Sequence, residues 1–183
     1  MHKQMFSLFE EMGIFISSCQ HQMVLYTCDM IQSGELFVSA IQIDMNLTIL
    51  RAKYPLAIVN QLLQDVGSKI GCTYDIGCEF SKTITNSCLG LVAHQKDLRM
   101  VVGAFHGHAH NRGCQLSWHP LHIDGTSLTE GEGCEHIFAA SNDVTQITWH
   151  SNRFHCRQAI EDHFWFWDQD KYALLSLESS QQI

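Results

Sequence analysis

Two apolar runs, separated by a stretch long enough for a helix, constrain this chain more than any other feature. "IGCTYDIGCEF", from Ile70, and "LRMVVGAFH", from Leu98, have the continuous apolar character of strands covered on both faces. Ser81 to Lys96, between them, has the length that a crossover needs, so strand, helix, strand implies a parallel pair. Upstream, "MGIFISSCQ" and "QMVLYTCDM" are β-prone runs flanking a polar Gln20-His21 step, and they predict a hairpin. "YPLAIVNQLLQDVG" repeats apolar residues at Leu56, Val59, Leu62, Leu63 and Val66, a helical spacing that Gly67 can end.

Past Gly125, "TSLTEGEGCEHIFAASN" predicts a loop entering a helix, with Thr129 and Glu132 at capping-box spacing. "FHCRQAIEDHFWFW" predicts an amphipathic helix rich in aromatics. The order gives an α/β chain built on a mixed sheet with flanking helices, and its 183 residues suit one domain.

Charge narrows the function classes. With 11 Lys and Arg against 19 Asp and Glu, the net charge is -8, which disfavours holding a phosphate backbone over a broad basic surface. Carboxylates in such a chain can instead gather around hard divalent cations. The eight cysteines form no Cys-x-x-Cys pair and no secreted framework, and no run approaches a membrane span. Both features point to a reducing compartment, cytoplasm or nucleus, with no secretion and no membrane partner.

Three groups of residues could carry chemistry. Asp75 closes an apolar strand just before Gly77, where open α/β sheets place functional groups, although a strand-end Asp also caps helices. Glu132 and Glu135 are three apart and would share a helix face, able to meet a cation or simply to serve the helix N-terminus. "FHGHAHNRGC" offers His106, His108, His110 and Cys114. If the strand from Val101 runs through His110, the three imidazoles face one way and could form a zinc site with Cys114, although structural zinc ligands usually come from two separate segments.

In this order, "YDIGCEF", "FHGHAHNRGCQLSWHP", "EGEGCEHIFAASN" and "FHCRQAIEDHFWFWDQDKYALLS" resemble the transposase domain of Kyakuja-Dileera-Zisupton (KDZ) elements. The upstream "GIFISSCQHQMVLYTCDMIQSGEL" and "AKYPLAIVNQLL" fit the same pattern. The resemblance implies a ribonuclease H-like fold and DDE chemistry, in which carboxylates hold Mg²⁺ or Mn²⁺ ions that act on transposon-end DNA. It implies Asp75 as the second acid and Glu132 or Glu135 as the third. It also implies His106 and His110 as groups that position substrate phosphate or steady the metal ligands through hydrogen bonds.

Departures from the family pattern carry expectations of their own. The family's first acid, in an Asp-Gly-Asn/Cys-Phe type motif, has no counterpart here. The chain is therefore expected to be a partial domain, 1–183, lacking the first strand and inactive alone. Glu130 stands where the family has Asp, His136 where it has Arg, and Trp149 and Cys156 where it tends to have arginines. Phe37 to Arg51 interrupts segments that the family joins almost directly, as a divergent insertion or a translated, unspliced intron. The competing expectations are a non-catalytic module that binds nucleic acid or protein, and a small zinc protein built on the histidines.

Overall fold

The computed structural model of the chain describes residues 11–31, 52–126, 129–148 and 150–181; the expected insertion at Phe37 to Arg51 lies outside them. The architecture is mixed α/β, and among the described residues the strands form two two-stranded sheets. β1 (Glu11–Ser18) and β2 (Val24–Ile31) form the expected hairpin. Its turn is closed by Gln22 N–H to the Cys19 carbonyl and Cys19 N–H to the Met23 carbonyl, both 2.9 Å. The described residues divide into two compact units, one up to Phe15 and from Thr27 to Gly131, the other Ile16–Tyr26 and from Glu132 onward.

In the first unit, α1 (Lys53–Asp65) buries Tyr54, Pro55, Ile58, Val59, Leu62 and Leu63, the stripe that its sequence period predicts. It stops at Val66 and Gly67, whose φ of 96° only glycine adopts without strain. The Lys96 ammonium donates to the Leu63 carbonyl in the last turn, where the helix end is negative. Val59, Leu63, Ile70, Phe80, Ile84, Ala93 and Met100 form the core, with Tyr74, Leu98 and Trp118 packed against it. Burial of each large apolar side chain contributes about 1.5–3 kcal/mol.

β3 (Gly71–Thr73) and β4 (Arg99–Val101) pair in parallel, with Gly71 opposite Arg99, Cys72 opposite Met100 and Thr73 opposite Val101. The expected crossover is present as two helices, α2 (Gly77–Asn86) and α3 (Gly90–Gln95). Both strands are shorter than the apolar runs that signalled them. Tyr74 N–H makes the last rung, to the Val101 carbonyl at 2.9 Å; the chain then turns, and the Ile76 carbonyl accepts from Glu79 and Phe80 as α2 begins. A side chain at Gly77 would put Cβ 2.5 Å from the Val101 carbonyl oxygen, so only glycine lets α2 start this close to β4.

Two arrangements raised by the sequence do not form. The strand does not run from Val101 through His110: it ends at Val101, and His106–Ala109 is a turn of 3₁₀ helix. Val102 N–H bonds the Trp118 carbonyl at 2.9 Å, and Gly107 and His108 N–H turn back to Gly103 and Phe105. Two glycines in this stretch weaken an extended chain, and local backbone bonds replace a ladder. The capping box also does not form. Thr129 Oγ1 donates to the Thr126 carbonyl at 3.1 Å, and Gly131 at φ 75° breaks the chain before the helix, leaving Glu132 at the N-cap with no side-chain capping bond.

The second unit consists of the hairpin tip and three helices: α5 (Gly133–Ala140), α6 (Asn142–Thr148) and the 29-residue α7 (Arg153–Gln181), with α4 (Arg112–Trp118) belonging to the first unit. Ile137 is fully buried and Phe164 nearly so. Trp167 Nε1 donates to the Gln22 carbonyl at 2.6 Å, Lys171 Nζ donates to Gln22 Oε1 at 2.8 Å, and Asp168 Oδ1 accepts Val24 N–H at 2.9 Å. The α7 helix is aromatic-rich as expected, but Phe154, Trp165, Phe166 and Tyr172 are exposed. No described helix is long and apolar enough to cross a membrane.

Gly77→Ala should lower the unfolding midpoint. The clash is with backbone oxygen, and overpacking of this kind costs about 1–3 kcal/mol, which outweighs the roughly 1 kcal/mol that alanine gains over glycine inside a helix. Thermal denaturation of the variant and of a Gly67→Ala control, whose Cβ would meet no atom within 4 Å, separates the clash from strain at positive φ.

Candidate functional site

A parallel pair brings the ends of both strands to one edge, and the residues that follow β3 and β4 carry the first unit's functional groups. Asp75 follows β3 by two residues, and its side chain is 62% exposed. His106 follows β4 in the 3₁₀ turn, with Nδ1 3.7 Å from Asp75 Oδ1, a contact that is ionic only when the imidazole is protonated. At this exposure the pair adds little to stability. It does place a hard carboxylate oxygen and a proton-carrying ring side by side.

One turn further along each segment lies a second group. Cys78 is in the first turn of α2, His110 ends the 3₁₀ turn, and Cys114 is in the first turn of α4. His110 Nδ1 is 3.5 Å from Cys78 Sγ and 3.2 Å from Cys114 Sγ, and the three donor atoms lie within 4.8 Å of one another. Local sequence builds this convergence. Asn111 is the N-cap of α4, its side chain accepting Cys114 N–H at 2.9 Å, and Gln115 Nε2 donates to the His110 carbonyl at 2.8 Å. Burial, followed by the hydrogen bond and charge of Cys78, pushes the Cys114 thiol up to about 11.

The histidine-rich stretch therefore does not act as one set. His106 faces Asp75, His110 faces the two thiols, and His108 is exposed. The alternative four-ligand group of His106, His108, His110 and Cys114 is not assembled, because the 3₁₀ turn sends successive rings in different directions instead of to one strand face. Sequence reasoning missed Cys78. The available signal was the Cys in "YDIGCEF", at the start of a helix whose strand neighbours the histidine segment.

The two glutamates of the second unit differ sharply. Glu132 is buried at the N-cap of α5, its carbonyl accepting from Glu135 and His136, while Glu135 is exposed in the first helical turn. The helix face they were expected to share does not exist, since Glu132 precedes the helix.

The model of the Kyakuja-Dileera-Zisupton transposase family matches residues 1–168. The chain belongs to the KDZ transposase family. No curated protein and no solved structure matches it. The matched span takes in the hairpin, Asp75, the histidine turn, Glu132, Glu135 and α7 as far as Asp168.

Asn111→Ala should destabilise the α4 start by about 1 kcal/mol and expose Cys114. Alkylation of Cys114 at neutral pH, followed by mass spectrometry, should be faster in the variant, with exposed Cys88 as the unchanged reference. An unchanged Cys114 rate would show that the cap does not hold the thiol in place.

Proposed function

We propose that this chain carries part of a DDE-type phosphoryl-transfer site on a ribonuclease H-like scaffold, acting on transposon-end DNA. The observation that carries this reading is Asp75, an exposed carboxylate at the shared edge of a parallel β3–β4 pair in a chain of the KDZ transposase family. Mg²⁺ and Mn²⁺ prefer oxygen donors, and Asp75 offers one that is exposed to solvent. Glu135, exposed in the first turn of α5, is the better candidate for the next acid. Glu132 is buried, and its substitution is expected to disturb the start of α5.

Bound divalent ions would activate the attacking oxygen and stabilise the leaving one in an in-line displacement at phosphorus. The chain's own residues contribute placement. Asp75 is set by the turn between β3 and α2, and His106 stands beside it, able to donate to a phosphate oxygen. His110 has a different task, because its ring is engaged by two sulfurs.

The family's first acid has no counterpart among these residues. Asp124-Gly125 is followed by Thr126, and Gly125 has a φ of 92°, so this Asp-Gly step is a turn and not the family motif. Two carboxylates leave a Mg²⁺ ion far from full protein coordination, so the chain alone should bind it weakly and should not cleave DNA.

Iron(II) placed at the magnesium site, with ascorbate and peroxide, cuts the neighbouring backbone and reads the site without requiring turnover. Scission is expected next to Asp75, suppressed by excess Mg²⁺, lost in Asp75→Asn and retained in Cys78→Ser. Scission unchanged by Asp75→Asn would sink the assignment. Mn²⁺-dependent DNA cleavage by the unmodified chain, lost in Asp75→Ala, would keep the acid but refute the inactivity.

A further inference from the structure

The geometry points to a zinc site formed by Cys78, His110 and Cys114, separate from the carboxylates and independent of the DDE reading. Zinc takes thiolate and imidazole ligands at about 2.3 and 2.0–2.1 Å in tetrahedral order, which places sulfur and nitrogen about 3.5 Å apart along an edge. The sulfur–nitrogen distances of 3.5 and 3.2 Å match that edge closely, and the three donors lie within 4.8 Å of one another. Softness selects the metal: two sulfurs and one nitrogen favour zinc over the magnesium and calcium that carboxylates prefer.

The ligands come from two separated segments, Cys78 from the start of α2 and His110 with Cys114 from the turn leading into α4. This is the arrangement that the histidine run on its own lacks. His110 presents Nδ1 to both sulfurs, while Gln115 holds its carbonyl and Asn111 holds the Cys114 backbone. The backbone that carries the donors is thus fixed before any ion arrives. Water completes the tetrahedron, and each thiol gives up its proton to solvent as the ion binds.

The ion would cross-link α2 to the segment after β4. Asp75 is three residues before Cys78, and His106 four before His110, so the same cross-link steadies both ends of the Asp75–His106 contact. Its role is positional.

The full chain, purified with zinc under a phosphine reductant and passed over a desalting column, should retain one zinc per chain by plasma mass spectrometry. Cys78→Ser, His110→Ala and Cys114→Ser should each lose it, while Cys88→Ser keeps it. Cobalt(II) added to the metal-free chain should give thiolate charge-transfer absorption and tetrahedral d–d bands. Because a variant can lose metal by misfolding, the unmodified protein supplies the second test: zinc should protect Cys78 and Cys114, but not Cys88, from alkylation. The proposal is overturned if the reduced chain binds no zinc, if metal survives in Cys78→Ser and Cys114→Ser, if protection falls on other cysteines, or if the two thiols form a disulfide on oxidation while the reduced chain stays metal-free.

Discussion

The approach of the Gly77 backbone to the Val101 carbonyl is the constraint on which the functional edge of this protein depends. A methyl group there would sit 2.5 Å from a carbonyl oxygen that is held by its own strand. Because glycine allows the approach, α2 begins against the end of β4, and the segments after the two strands run alongside each other. Asp75 meets His106, and one turn later Cys78 meets His110 and Cys114. Two candidate groups are thus set by one backbone contact.

Much of the scaffold was legible because burial imposes a period. The α1 stripe, the hairpin and the parallel crossover follow from apolar spacing and turn residues, and all three are present. Asp75 stands out in the sequence as a carboxylate at the end of an apolar strand, and it lies exposed two residues after β3. The strand alternative for the histidine stretch fails for a physical reason: three alternating histidines mimic a strand face, but Gly103 and Gly107 favour a turn, and β4 has no partner rung beyond Val101. The Thr129–Glu132 spacing failed similarly, since it says nothing of the positive φ that Gly131 adopts between them. Cys78 was hidden because the residue that completes its group lies 32 positions away.

The family and the geometry answer different questions. Membership in the KDZ transposases gives a transposase-related function, while the coordinates distinguish one histidine from the next. Oxygen donors at Asp75 and sulfur donors at Cys78 and Cys114 would sort hard ions from soft ones along one edge. With only 11 basic side chains in the sequence, a broad basic surface for a phosphate backbone is disfavoured.

Gln22, at the hairpin turn, has a left-handed φ of 65° and, besides its N–H, three polar groups engaged. Its carbonyl accepts from Trp167, its Oε1 from Lys171, and its Nε2 meets His136 Nδ1 at 2.9 Å. A non-glycine residue in that conformation is strained on its own, so the turn owes its shape to the helices that grip it. In native-state hydrogen exchange, the tip of this ribbon would therefore open with α7 as one cooperative block, even though covalently it is no more than the bend between two strands.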